Sequence, residues 1–563
     1  MKDYLEFRPA KCKDCYKCLR ACPVKAIGFK QHRAELIESR CILCGQCAVV
    51  CPQNAIVVRS HKDDVLKILE GSDKVIATVE PSFIASFGVK NFAQMKAGLK
   101  MIGFDDAQES ARGAALVTRK YRELLESGKY KNFITSDCPS VCKLIQLYFP
   151  SALQYLAPVD PPMLVLAKIL RKEHPGAKIV SIGPCIAKRE TAVESGFIDD
   201  VLTFEELEAI FEERGIDPKK IDVEDDVRYS NPAKYYPVCQ GIIKSFENTP
   251  EGYEYIPVTG NHCLDALRNI NAVKGAFIEL HTCRDGCVNG PCHIPHRGGN
   301  IKAALDVLNY VNAEMEKYPR IPDEYPGFDI EKIHERIDNG SKSADEDTIT
   351  KILTRTNRGD KDNRLDCGAC GYTTCAQKAW AVHNGYCDTE VCVPFMKKRA
   401  ESLSYDVIQR SPEGIIVLNN DLIIMEINKK AKEMLGIADK TTKGLPANDF
   451  FSTAYLRRVR KSGESIVGKK IFIPATGLYA EISISPLHRQ NAFFCIMKDI
   501  TEMVNYGDKV NQMKMNTLRV TDDVIKKQMR VAQEIASLLG ETTAETKVAL
   551  LQLKDVLMQD REK

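Results

Sequence analysis

At 563 residues the chain is too long for one hydrophobic core, and at roughly 150 residues per domain about four domains are expected. With 44% apolar and 28% charged residues it has the composition of a soluble globular protein, and a net charge of +3 supplies no global field for nucleic acid or an acidic membrane. Cysteine is the outlier at 22 residues, while the N-terminus has no apolar stretch suited to a signal peptide and no run of about 18 apolar residues occurs.

A reducing, cytoplasmic compartment is therefore expected, in which closely spaced cysteines read as metal ligands in preference to disulfides. The first sixty residues carry two such runs, Cys12-x2-Cys15-x2-Cys18-x3-Cys22-Pro23 and Cys41-x2-Cys44-x2-Cys47-x3-Cys51-Pro52. Each wraps a cubane [4Fe-4S] cluster, and in the two-cluster arrangement the fourth cysteine of each run ligates the other cluster. The expected sets are Cys12, Cys15, Cys18 and Cys51, and Cys41, Cys44, Cys47 and Cys22. The repeat extends to Ala26-Ile27 and Ala55-Ile56 and resembles bacterial two-cluster ferredoxins. Zinc is the competing metal for paired CxxC units, but two complete runs closing on Cys-Pro favour the cluster. Residues 1–60 read as an electron conduit.

From 70 to 350 short apolar runs alternate with helical periodicity, as in Lys74–Val79, Asn132–Thr135, Ala177–Ile182 and Gly275–Glu279, with a helix across Met163–Lys172. This predicts an α/β domain with parallel strands. Three of those strands run into cysteine-bearing loops: Thr135-Ser-Asp-Cys138-Pro139, Gly183-Pro-Cys185-Ile-Ala-Lys188, and Glu279-Leu-His-Thr-Cys283-Arg-Asp-Gly-Cys287-Val-Asn-Gly-Pro-Cys292. Ligands of open α/β sheets bind at strand carboxyl ends, so the loops are expected to converge. Gly286 and Gly290 mark a tight turn in the third.

Together these loops resemble the three signature motifs of [FeFe]-hydrogenases, TSCCP, MPCxxK and ExMxCxxGCxxGGG, over roughly residues 1–330. The resemblance implies that Cys138, Cys185, Cys283 and Cys287 hold a [4Fe-4S] cubane. Cys287 would bridge to a two-iron subsite with CO, cyanide and a dithiolate, completing an H-cluster. It further implies that Lys188 donates a hydrogen bond to one cyanide, that Pro81 and Ser82 line the other, and that Glu279 keeps the family's position.

The departures matter as much. Asp137 replaces the first cysteine of TSCCP, which relays protons in the family; Gly183 and His281 replace methionines; and Asn289-Gly-Pro-Cys292 replaces the GGG turn. Pro158-Val-Asp-Pro-Pro-Met163 stands where the family has Pro-Gln-Gln-Met. A carboxylate with a reference pKa near 4, against roughly 8.5 for a thiol, returns a proton poorly unless buried. His281 either donates a hydrogen bond toward the diiron site or packs where methionine did. Slow turnover is expected.

Tyr318–Pro326 and the charged segment Asp338–Asp347 read as a boundary. Beyond it, Cys367-x2-Cys370-x4-Cys375 with Cys392 resembles a small four-cysteine [4Fe-4S] module, expected over 360–400. A zinc knuckle is the alternative there, and Lys397-Lys-Arg399 reads as a solvated helix face. The remaining cysteines, Cys142, Cys239, Cys263, Cys292, Cys387 and Cys495, need no role beyond packing.

Residues 403–502 resemble a PAS sensor domain. They have strand-like runs through Val407–Leu418, Leu422–Asn428, Lys470–Ile473, Leu478–Ile484 and Ala492–Met497, a turn at Asn419–Asp421, and an exit at Asp499-Ile-Thr501. No cysteine motif for a flavin adduct is visible and His488 alone is a weak haem signal, so a cofactor-free dimerisation or relay role is expected. The tail, 503–563, reads as an amphipathic helical hairpin. Its first stripe is Ile525, Met529, Ala532, Ile535, Ala536 and Leu539; Gly540 breaks it; and Thr542–Glu545 caps a second helix with Leu550, Leu553 and Leu557.

The fold class expected is multidomain, α+β and α/β: two-cluster ferredoxin domain, H-cluster domain, small [4Fe-4S] module, PAS domain and helical tail. This combination resembles sensory [FeFe]-hydrogenases. It implies a low-activity oxidoreductase that activates H2 reversibly and signals through its PAS domain. Its partners would be H2 and protons, an electron carrier such as ferredoxin, a second copy through the PAS domain and tail, and a signalling kinase or phosphatase. The alternatives are a metabolic hydrogenase working with ferredoxin, and an iron-sulfur assembly protein without the diiron subsite.

Overall fold

The computed structural model describes residues 4–224, 227, 229–296, 298–321, 329–438, 440–539 and 543–559. The chain divides into two compact units, Met1–Met396 and Lys397–Lys563.

The first unit begins with two antiparallel ladders, β1 (Leu5–Phe7) with β4 (Ile56–Val58) and β2 (Ile27–Lys30) with β3 (Arg33–Leu36). Between them the cysteine runs wind through short helices, Lys17–Ala21 and Gln46–Val49, each entered through a left-handed residue, Tyr16 and Gly45. The α/β part follows as expected, its strands within a residue or two of the apolar runs: β5 (Val75–Val79), β6 (Asp106–Glu109), β7 (Phe133–Ile134), β8 (Lys178–Gly183), β9 (Asp200–Thr203), β10 (Glu254–Thr259) and β11 (Ala276–His281). All pair in parallel, but in two sheets rather than one, ordered β6-β5-β8-β9 and β10-β11-β7. Helix Pro162–Glu173, close to the expected Met163–Lys172, buries Met163, Leu166 and Leu170 against Ile76 and Ile179 of the first sheet. The short β7, two residues long, is where periodicity is least able to assign a sheet.

Three predicted domains share this unit because their cores are continuous. One apolar cluster runs from Leu19, Ile27 and Phe29 through Val141, Ile145 and Leu280 to Tyr372, Ala381 and Cys387. The described part of the expected boundary segment lies along the α/β part. Asp160 N–H donates to Ile330 O, Lys332 N–H to Pro158 O and Ile337 N–H to Gln146 O, at 2.8, 3.1 and 3.1 Å. Residues 322–328, which hold most of the Tyr318–Pro326 signal, lie outside the described residues. The cysteine module is stitched to the N-terminal domain by Phe29 and Asp388, and Arg20 donates to both Cys15 O and Ala369 O, at 2.8 and 3.2 Å. Arg40, next to Cys41, lies against the rings of Trp380, Tyr148 and Tyr386, 4.7, 5.2 and 5.6 Å from their centroids. A buried guanidinium held this way ties three segments by cation–π contact.

Helix Val393–Arg410 starts at the residue after Cys392 and carries the exposed Lys397, Lys398 and Arg399. It includes Val407–Arg410, which the apolar pattern alone assigns to a strand. The second unit holds an antiparallel sheet ordered β13-β12-β16-β15-β14, where β12 is Gly414–Asn419, β13 Ile424–Ile427, β14 Ile466–Ile473, β15 Leu478–Leu487 and β16 Ala492–Asp499. Ile416, Leu418, Met434, Leu456, Ile482 and Cys495 fill its core. Asn428 is fully buried and satisfied: its amide donates to Ile408 O and Glu413 O while Oδ1 accepts from Ile415 and Ala431 N–H. Helices Thr501–Leu539 and Thr543–Gln559 form the expected hairpin, clasped by Lys554 and Asp522 at 3.3 Å. Gly540 and Thr542, the expected break and cap, lie outside the described residues.

Candidate functional site

The three cysteine loops leave the carboxyl ends of β7, β8 and β11, and Pro81-Ser82 follows β5. Two of these strands belong to each sheet, so the site is built from both. Cys138 opens helix Pro139–Tyr148, whose proline at the first position suits a helix start. Its loop is pinned upstream, since Leu280 N–H donates to Thr135 Oγ1 at 3.3 Å, Ser136 N–H to Tyr121 Oη at 2.8 Å and Ser136 Oγ to Val159 O at 2.8 Å. Cys185 sits before helix Ala187–Ser195, where burial pushes its thiol up and Lys188 and the nearby backbone N–H groups oppose that shift. In the third loop Gly286 has φ 100, and a Cβ there would lie 2.4 Å from Pro237 O, so the tight turn expected from the sequence needs glycine.

The four cysteines come together. Cys138, Cys185 and Cys287 are electrostatic neighbours of Cys283, and burial pushes all four thiols up, Cys138 to about 11. Four buried thiols that repel one another once ionised keep their protons until a cationic cluster core offsets the charge, and such a core would take the thiolates directly. Lys188 is 8% exposed and has Cys287 and Cys185 among its electrostatic neighbours. Ser82 is 1% exposed, and its Oγ has no hydrogen-bond partner among the described residues. A buried cation beside the thiols, and an orphaned hydroxyl on the loop that follows β5, fit a cluster carrying polar, anionic ligands. Pro81 is buried next to Ser82.

Two of the expected site residues have protein partners. Asp137 is buried, and its Oδ2 stands 2.9 Å from His281 Nε2. His281, 1% exposed, packs against the carboxylate that stands where the family has cysteine. Asp137 and Glu279 raise the imidazole to about 9 despite its burial. Glu279 accepts from Ile243 N–H at 3.0 Å, lies 3.7 Å from His281 Nδ1, and is raised to about 7 by burial. Among the described residues Asp137 Oδ1, His281 Nδ1 and Glu279 Oε1 lack hydrogen-bond partners. Lys188, expected to face a ligand, is ion-paired with Glu80.

The remaining cysteines sort by geometry. A cavity in the N-terminal domain is lined by Cys12, Cys15, Cys18 and Cys51, and Cys44 and Cys47 have Cys22 and Cys41 among their neighbours. Another cavity is lined by Cys367, Cys370, Cys375 and Cys392 but not by Cys387. Cys44 neighbours Cys283, because Gly45, at φ 70, lets its turn lie against Pro291, whose Cβ would be 2.4 Å from a Cβ at position 45. Of the six cysteines assigned to packing, Cys142, Cys263, Cys292, Cys387 and Cys495 are buried, whereas Cys239 is exposed. Cys142 and Cys263 also donate to Ser136 O and His281 O, at 3.4 and 3.2 Å, bracing the site's backbone. Sequence reasoning misses Glu80, Arg20 and Arg40, which carry no motif. Among the described residues no helix is long and apolar enough to cross a membrane.

Comparison with known families agrees with this layout. Residues 73–291 match the C-terminal domain of the iron only hydrogenase large subunit, 11–55 a 4Fe-4S dicluster domain, 363–394 an Fe-S cluster family and 412–502 a PAS domain. Iron hydrogenase 1 of Clostridium pasteurianum is 26% identical over 296 residues, 40% of this chain; the chain spans about half of that relative's length, 51%. An [FeFe]-hydrogenase variant from Chlamydomonas reinhardtii is similar in structure at 17% identity and a TM-score of 0.37, covering 46% of this chain and 91% of that one. The PAS domain of an HTR-like protein from Haloarcula marismortui aligns at 20% identity and a TM-score of 0.15, covering 19% of this chain and 98% of that one.

Proposed function

Taking the chain as a hydrogenase-like iron–sulfur protein with a PAS domain, we propose that it activates H2 at an H-cluster, slowly, and reports the outcome through its second unit. The observation that carries this reading is the gathering of Cys138, Cys185, Cys283 and Cys287 beside one buried lysine. When bound, the diiron group would supply heterolytic cleavage of H2 and pass its electrons to the adjoining cubane.

The chain's own part is to hold, orient and move protons. The four cysteines would hold the cubane, and Lys188, Pro81 and Ser82 would seat the polar ligands. Asp137, a neighbour of Cys287, takes the released proton on its unpartnered Oδ1. Accepting it weakens the ion pair with His281, a buried pair being costly to break, and this is the physical reason to expect slow turnover. Glu279 lies on the far side of the imidazole and would extend the relay inward.

Electrons would leave through the cluster of Cys41, Cys44, Cys47 and Cys22, then that of Cys12, Cys15, Cys18 and Cys51, and reach a further [4Fe-4S] cluster at Cys367, Cys370, Cys375 and Cys392. Helix Val393–Arg410, which begins beside Cys392, and the pin at Asn428 support a signalling output. That output would act through a homodimer and a kinase or phosphatase, with an electron carrier such as ferredoxin resetting the clusters. Infrared spectroscopy of the maturated protein under H2 and CO tests the reading. Carbonyl and cyanide bands that respond to both gases are expected, and their absence with all cubanes loaded refutes it.

A further inference from the structure

Glu80 extends β5, its N–H donating to Ile182 O at 3.0 Å, and turns its side chain across the last residue of β8, Gly183. A Cβ at position 183 would lie 2.6 Å from Glu80 Cγ and 3.3 Å from its Cβ, so a larger residue would force this side chain to move. From that seat Glu80 reaches Lys188, and the pair is almost closed to solvent, with side chains 12% and 10% exposed. Two features of the sequence with no evident connection, a glycine in the second cysteine loop and a glutamate before Pro81-Ser82, are thus one arrangement. Cys287 is a neighbour of Lys188, and Ser82, two residues beyond Glu80, has a buried Oγ without a partner among the described residues.

We propose that Glu80 is a positioning residue that fixes the Lys188 ammonium and offsets its charge, a claim that rests on the hydrogenase reading. An ammonium has three N–H groups. Glu80 is ion-paired with it from one side and leaves N–H groups for which the chemistry that fits is a compact anionic acceptor such as a metal-bound cyanide on the Cys287 side. A carboxylate held in a dry pocket also acts over a short distance in a low dielectric, where its charge is felt strongly. Its negative charge opposes the electron-rich form of the site, so the site is harder to reduce than Lys188 alone would make it. Glycine at position 183 is what admits this counter-charge.

The test is infrared spectroelectrochemistry of full-length, maturated protein in the wild type, Glu80→Gln and Glu80→Asp, at matched iron content. Gln keeps the size of Glu without its charge. The carbonyl and cyanide bands are expected to move to higher wavenumber in Glu80→Gln, and the potential at which they interconvert to become more positive. Asp, one methylene shorter, should shift both in the same sense by less. In a Lys188→Gln background the same Glu80→Gln change should alter the cyanide bands less, because the ammonium it oriented is gone. Bands and potential that superimpose on the wild type in Glu80→Gln overturn the proposal while leaving the hydrogenase reading intact. Should Glu80→Gln fail to take up the cofactor, unshifted bands in Glu80→Asp do the same. A wild type without such bands refutes the hydrogenase reading itself, and this proposal with it.

Discussion

His281 Nε2 and Asp137 Oδ2 lie 2.9 Å apart in a pocket where neither residue is more than 9% exposed. The two substitutions that depart from the hydrogenase pattern in different loops, 144 residues apart, are therefore one interaction. Removing one partner strands the other. His281→Met should destabilise the protein by about 3–5 kcal/mol, the usual cost of breaking a buried ion pair from one side. Asp137→Cys with His281→Met should restore most of it. Urea denaturation of the iron-loaded protein measures both, and the double variant should also turn over H2 faster than the wild type.

The crossed ligation makes a sharper claim than cysteine counting. Cys51 lines a cavity with Cys12, Cys15 and Cys18, whereas Cys22 neighbours Cys41 and Cys44. Cys51→Ser should cost about four iron atoms and the magnetic signal of the cluster farther from Cys283. Cys22→Ser should instead perturb the cluster beside Cys283. Iron analysis and paramagnetic resonance of the two variants distinguish this from uncrossed ligation, which predicts the reverse.

Arg20 donates to the carbonyls of Cys15 and Ala369 and so joins two cysteine loops that are far apart in the chain, Ala369 lying 349 residues beyond Arg20. Arg20→Gln should leave both clusters assembled but loosen the seam. The expected result is faster amide exchange across 367–392 and weaker magnetic interaction between the two clusters, at unchanged iron content.

His334 sits on the segment laid along Val159 and Ala157, and burial, aided by Lys332, pushes its imidazole down to about 4. In the unfolded chain the same group titrates near 6.5. Its contribution is therefore fully present above about 6.5 and is lost as the pH falls toward 4, because the unfolded state gains the proton first. The difference in urea midpoint between pH 7.5 and 5.5 should shrink in His334→Gln.

Much of this site was legible because iron–sulfur chemistry writes its ligands at fixed spacing, and because glycine and proline mark the loops that carry them. The strand end at Val79 followed from its apolar run, and those at Gly183 and His281 lie one and two residues beyond the runs that ended at Ile182 and Glu279. What periodicity could not show was that β7 joins β11 and β10 in a sheet of its own, since two residues carry too little pattern. Glu80, Arg20 and the partner of His281 were illegible for another reason. Each acts on a residue brought to it only by the fold, and a lone charged residue reads as surface until the fold places it. Cys239 shows the opposite error: grouped with the packing cysteines, it lies in the open.

The chain has a single tryptophan, Trp380, and its ring stands over Arg40 beside Cys41. Its fluorescence is thus a native optical probe of one seam. Emission should be quenched when the neighbouring clusters are present, recover as iron is chelated, and respond to Arg40→Ala without any label having been introduced.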